Sequence, residues 1–165
     1  MSSLCYLGLG SNLGSPERQL RRAIAALRKL PFTKVLAVAS FYRSKAWGRK
    51  TQPGFCNTVV KLQTSLTPKQ LLFHCQRIEL KQGRVRKVHW GSRTLDIDIL
   101  LFGSQTINYP DLIIPHPRLH QRDFVFVPLL EISATIPLIH GCRLTDLIAH
   151  SQSCATLNEG LFPCC

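Results

Sequence analysis

What this chain lacks narrows what it can be. No window approaches 18 uninterrupted apolar residues, so a membrane-spanning helix is excluded. The first residues run directly into Leu4-Cys5-Tyr6-Leu7-Gly8-Leu9-Gly10, without a basic region, a long apolar stretch or a cleavage site, and a soluble cytoplasmic protein is expected. The seven cysteines contain no Cys-x-x-Cys pair, which argues against zinc. They read as free thiols: Cys5, Cys56 and Cys75 sit in apolar segments and belong to the core, while Cys164 and Cys165 end the chain exposed. A nucleotide loop is missing as well. Gly8-x-Gly10 is followed by Gly14, the wrong spacing for Gly-x-Gly-x-x-Gly, and no Gly-Lys-Ser/Thr occurs there. Acidic residues are scarce, 9 against 21 Lys and Arg, and the net charge of +12 favours anionic ligands: nucleotides, nucleic acid or an anionic membrane surface.

What is present suits one globular domain over residues 1–165, with 45% apolar content. Residues 4–9 read as a buried strand leaving through Gly10-Ser11-Asn12-Leu13-Gly14. Ser15-Pro16-Glu17 then opens a helix carrying Leu20, Ile24 and Leu27 inward and Arg18, Arg21, Arg22 and Arg28 outward. A second strand is expected over 34–42, a polar loop over 43–54 and a third strand over 55–62. Thr67-Pro68-Lys69-Gln70 spells a capping box with proline at the first helical position, and that helix stops at Gly83. Later come a short returning strand over 105–108, a stiff loop holding three prolines and two histidines over 113–124, an apolar segment over 124–130 broken by Pro128, and a short helix over 144–148.

Chemistry concentrates between 83 and 102. From Leu95 to Leu101 the odd positions Leu95, Ile97, Ile99 and Leu101 are aliphatic, so period-two alternation turns Asp96 and Asp98 together onto the opposite face. Their Cα atoms should lie roughly 6.5 Å apart. At an effective dielectric near 20 two such charges repel by on the order of 3 kcal/mol, so the pair seeks a cation, either Mg²⁺ or arginine. The preceding loop supplies Arg84, Arg86, Lys87 and Arg93 with His89 and Trp90, more positive charge than two carboxylates need. An anionic third component is implied. Mg²⁺ on paired carboxylates, with arginine forks around the remaining phosphate oxygens, makes this a polyphosphate-transfer site.

The run His89-Trp90-Gly91-Ser92-Arg93-Thr94-Leu95-Asp96-Ile97-Asp98-Ile99-Leu100 also resembles, at every position, the signature of the 6-hydroxymethyl-7,8-dihydropterin pyrophosphokinases of folate biosynthesis. Phe41-Tyr42-Arg43-Ser44, Phe55-Cys56-Asn57, Gln76-Arg77-Ile78-Glu79 and Gly83-Arg84-Val85-Arg86 extend the likeness, which covers about residues 4 to 150. It implies a pterin pocket of Ser44, Trp47, Phe55, Asn57, Trp90, Asp96 and Phe124, with Asn12 supporting its end or serving only as a turn residue. It implies an ATP site of Gln76, Glu79, Arg84, Arg86, Trp90, Arg93, Ile99, His116 and Arg122, Glu79 accepting from ribose hydroxyls. Asp96 and Asp98 would hold two Mg²⁺ ions, and Arg84, Arg93, His116 and Arg122 would meet the charge of the transferring phosphates. The implied reaction is attack of the pterin hydroxymethyl oxygen on the β-phosphorus of MgATP, releasing AMP, with Asp98 in reserve as a base. Pro117, Asp111, Phe55 and a loop before Trp90 one residue shorter depart from many members and bear on the adenine and triphosphate contacts.

The element order is the split β-α-β double repeat of an α+β, ferredoxin-like fold with a mainly antiparallel sheet. Helices should cover one face, leaving on the other a cleft floored by a central strand bearing Asp96 and Asp98 and walled by the loops 43–54 and 83–93. These walls are expected to open for substrate and close against water. The chain is expected to act as a monomer on ATP and 6-hydroxymethyl-7,8-dihydropterin, with no nucleic acid or membrane partner. One rival is a basic ferredoxin-like RNA-binding module, which lacks its aromatic run here and would set Asp96 and Asp98 against a nucleic-acid backbone. A second rival is another Mg²⁺-dependent nucleotidyltransferase or phosphohydrolase using the same carboxylates.

Overall fold

Alternating burial along β1 (Ser3–Ser11) makes it the spine of the molecule: Cys5, Leu7 and Leu9 enter one core and Tyr6 the other. The computed structural model describes residues 1–44, 54–83, 94–133, 135–152 and 162–163. After β1 come α1 (Pro16–Leu27), β2 (Thr33–Val38), β3 (Tyr42–Ser44), β4 (Phe55–Thr64), α2 (Pro68–Lys81) and β5 (Asp96–Phe102). A hairpin of β6 (Ile107–Tyr109) and β7 (Leu112–Ile114), helices α3 (Asp123–Ile132) and α4 (Leu144–Gln152), and β8 (Phe162–Pro163) complete the described chain.

The main sheet runs β5-β1-β4-β3-β8, with β2 also on β4, and every pairing in it is antiparallel. This is the ferredoxin-like plan, an α+β fold. The long chain return through α2 carries β5 past β1 to the end of the sheet. The strand holding Asp96 and Asp98, expected at the centre, is therefore an end strand, and β1 with β4 forms the middle.

Local signals set the helices. Pro16 starts α1, and Leu20, Ala23, Ile24 and Leu27 are its buried stripe, although Ser15 caps without a side-chain hydrogen bond. In α2 the box is complete: Thr67 accepts from the Gln70 amide at 3.2 Å and Gln70 accepts from the Thr67 amide at 2.9 Å. Both helices pack on the core of Leu7, Leu9, Ile97 and Ile99.

Several expectations are corrected. Helices cover both faces, because Tyr6, Val59, Leu100 and Leu101 form a second apolar surface that α3 and α4 bury with Phe126, Leu129, Leu144 and Ile148. Leu101 joins that second surface instead of the Ile97 side. A register shift between Tyr6 and Leu7 adds one residue to β5, so Leu100 and Leu101 both turn to it and Phe102 resumes the first. The 34–42 strand is two strands, parted where Ser40 bonds the Glu131 carboxylate at 2.6 Å through its hydroxyl. Residues 105–108 do not return to the main sheet; β6 pairs with β7 across Pro110-Asp111. The segment 124–130 is helical, with Pro128 inside α3. Cys5, Cys56 and Cys75 are buried free thiols, as expected, and Cys142 is an exposed one.

Candidate active site

The site begins with glycine. On β1, Gly8 stands opposite Val59 and Asp98, and Gly10 stands opposite Asn57 and Asp96, all across neighbouring strands. Because Leu7 and Leu9 point into the α1/α2 core, Gly8 and Gly10 face the other way, on the side of Asp96 and Asp98. Between Asn57 on one bank and the two carboxylates on the other, that face is a shallow trough without Cβ atoms, partly filled by the Leu100 side chain, which lies 3.4 Å from where a Gly8 Cβ would stand. Asn57 leans over the trough: a Cβ built on Gly10 would meet its Oδ1 at 2.8 Å. Asn57 is buried, and Phe55 is half-buried two residues before it on the same face.

On β5 the alternation holds where it matters. Ile97 and Ile99 are buried in the core, and Asp96 and Asp98 are half-buried on the trough side. Burial of the Ile99 side chain under α1 and α2 turns it away from the trough.

The stiff loop arrives at the end of β5. The His116 amide donates to the Leu100 carbonyl at 2.9 Å, and the peptide bond before Pro115 is cis. His116 Nδ1 accepts from the Arg118 amide at 3.2 Å, which leaves the ring proton on Nε2. Burial lowers the His116 pKa to about 4, the positive charges of Arg122 and Arg118 push the same way, and Asp96 opposes them. His116 is therefore a neutral imidazole beside two arginines and a carboxylate. Arg118 is a site residue that sequence reasoning missed; its only signal was a cation two residues past His116. Arg122 precedes α3 and lies 5.7 Å over the Phe124 ring, itself half-buried in the first turn of that helix.

Helix α2 backs β5. Gln76 is half-buried, but Glu79 is 3% exposed, and its Oε1 accepts from the Ile97 amide at 2.8 Å. That oxygen is committed to the strand, although the resemblance assigned Glu79 to ribose. Ser44 ends β3 opposite Phe55. The expected residues Trp47, Arg84, Arg86, Trp90 and Arg93, and most of both expected walls, lie outside the described residues.

Among the described residues no three His, Cys, Asp or Glu side chains gather as a metal cage. The donor set is instead a pair of hard carboxylates beside an open trough, which fits Mg²⁺, an ion that completes its octahedral shell from phosphate and water. Also among the described residues, no helix is long and apolar enough to cross a membrane.

An antiparallel α+β sheet with paired carboxylates on one strand face, beside histidine and arginine, suits phosphoryl transfer. Residues 6–134 match the family model described as 7,8-dihydro-6-hydroxymethylpterin-pyrophosphokinase (HPPK). The 2-amino-4-hydroxy-6-hydroxymethyldihydropteridine pyrophosphokinase of Haemophilus influenzae is 46% identical over 143 residues, covering 87% of this chain and 89% of that one. The Bacillus subtilis protein of the same name is 45% identical over 132 residues, 80% of this chain and 79% of that one. Plasmodium falciparum HPPK-DHPS, solved with pteroate, shares the fold at TM-score 0.69 and 13% identity; the match covers 93% of this chain and 43% of that longer one. The chain belongs to the HPPK family. It is an ATP-dependent diphosphokinase of folate biosynthesis, and neither the RNA-binding nor the phosphohydrolase alternative is favoured.

Proposed function

We propose that the chain, a single-domain cytoplasmic monomer, transfers diphosphate from MgATP to the hydroxymethyl group of 6-hydroxymethyl-7,8-dihydropterin in the glycine-floored trough. The observation that supports the residue assignment is the cross-strand row Asn57, Gly10, Asp96, which aligns a polar side chain and a carboxylate across one face of the sheet. The flat ring lies beside Asn57, with Phe55 and Phe124 as the aromatic partners and Ser44 and Trp47 completing the pocket. Asn57 offers a carbonyl acceptor and an amide donor to the ring edge.

Asp96 and Asp98 would hold two Mg²⁺ ions, which would neutralise phosphate charge and favour loss of the hydroxyl proton. Neutral His116 donates from Nε2 to a phosphate oxygen, and because it carries no charge it does not compete with the ions for the carboxylates. Arg122 and Arg118 meet phosphate charge from the α3 side, and Arg84, Arg86 and Arg93 meet it from the 83–93 segment. Trp90 covers the reacting groups, and Gln76 with the main chain of Ile99 contacts the nucleotide. The arginines stabilise charge that grows during in-line transfer, so their effect falls on kcat.

The test is product analysis with MgATP and the hydroxymethyl dihydropterin. AMP and the pterin diphosphate should appear in equal amounts, and ADP or free phosphate as the main product would refute the reading. Asp96→Ala and Asp98→Ala should each lower turnover by at least about 10³-fold with the circular dichroism spectrum preserved. Near-normal turnover in either variant removes the metal assignment.

A further inference from the structure

Strand β5 ends the described sheet beyond β1, so its outer edge presents backbone groups with no neighbouring strand in the described residues. Such edges twist and breathe more than central strands. Here that edge carries Asp96 and Asp98, whose spacing matters for holding ions. Among the described residues, two backbone contacts restrain it. The His116 amide takes the Leu100 carbonyl, and Glu79 takes the Ile97 amide, midway between the two aspartates.

Glu79 is an expensive group to use for this. A buried carboxylate costs several kcal/mol unless paired and hydrogen-bonded, and a neutral acceptor would satisfy one amide as well. What Glu79 adds is an acceptor oxygen on a rigid support. It comes from α2, whose capping box and buried stripe of Leu71, Cys75 and Ile78 hold its register against the core.

We propose that Glu79 is a positioning residue for diphosphoryl transfer: its grip on the Ile97 amide fixes the spacing and aim of Asp96 and Asp98. This rests on the reading of that pair as the Mg²⁺ carriers. Side chains on either side of a held amide cannot drift apart without breaking the bond at Ile97. The ion pair is then preformed before nucleotide arrives.

Two readouts on the full chain test this. Amide exchange by NMR without ligand follows Ile97, and Mn²⁺ titration by electron paramagnetic resonance in the presence of α,β-methylene-ATP follows the ion site. In Glu79→Ala the Ile97 amide should exchange roughly 10 to 100 times faster, and Mn²⁺ affinity should fall about tenfold or more. Glu79→Gln keeps an acceptor oxygen, so it should retain Ile97 protection and hold Mn²⁺ affinity within about threefold. Loss of Ile97 protection in Glu79→Ala with unchanged Mn²⁺ affinity would make the bond a mere edge cap and overturn the proposal. Protected Ile97 with weakened Mn²⁺ in Glu79→Gln would overturn it in favour of the charge. Should Glu79→Ala fail to fold, Glu79→Asp, one methylene too short to reach, takes its place beside Glu79→Gln. Asp98→Asn separates the underlying reading: if it binds Mn²⁺ like the parent, the metal assignment itself fails, and this proposal with it.

Discussion

At the scale of single residues, the site is shaped as much by what is missing as by what is present. Gly10 has no side chain, and Asn57 occupies the place where one would stand. Gly10→Ala should push the Asn57 amide aside and raise KM for the pterin about tenfold, the worth of one or two hydrogen bonds, while leaving KM for ATP nearly unchanged. Steady-state kinetics with each substrate varied in turn decides it; equal changes in both would mean that the sheet itself had shifted. His116 supplies a pH dependence. Its folded pKa of about 4 lies below the ordinary 6.5, so between those values the unfolded chain binds the extra proton. Its contribution is complete above about pH 6.5 and is lost as pH falls towards 4. Discounted for partial exposure, the loss is on the order of 1–2 kcal/mol. Urea unfolding at pH 7 and pH 4.5 should show a smaller decline in His116→Gln than in the parent chain. The aspartates were legible in the sequence because alternation in a strand is strict. Asn57 and His116 were legible only through the family likeness, since a single Asn or His carries no periodic signal.

At the scale of elements, the helix signals translated directly. Thr67 and Gln70 bond each other's amides as the capping box requires, and Thr67→Ala should cost about 1 kcal/mol, read as a lowered denaturant midpoint at unchanged m-value. Strand β5 shows where local reading ends. Strict alternation placed Leu101 beside Ile99, but the bulge opposite Tyr6 and Leu7 turned it to the α3 side. A bulge depends on how two strands fit, and nothing in either strand alone announces it. Helix α3 was hidden for a related reason: Pro128 breaks the pattern that marks a helix, yet tertiary burial of Val125, Phe126 and Leu129 holds the turn together around it. The Glu131 carboxylate at the far end of α3 takes bonds from the Ser40 amide and hydroxyl and from the Tyr42 hydroxyl. That junction divides one expected strand into β2 and β3.

At the scale of the molecule, the chain carries a net charge of +12 and uses the polyanion ATP. Raising ionic strength from about 0.02 to 0.5 M shrinks the Debye length from roughly 20 to 4 Å, so KM for ATP should rise severalfold while KM for the uncharged pterin moves little. A KM for ATP insensitive to salt would confine the useful charge to groups in direct contact. The sequence by itself determined the α+β order, the two leading helices, the shared face of Asp96 and Asp98 and, through a long mixed motif, the family. These depend on periodicity, caps and local spelling, which each segment carries within itself. Tertiary structure alone decided that β5 lies at the end of the sheet among the described residues, that Gly10 of β1 stands between Asn57 and Asp96, and that Glu79 reaches the Ile97 amide. Those facts are contacts between residues far apart in the chain, set by which strands pair and in what register, and pairing is a property of the folded whole.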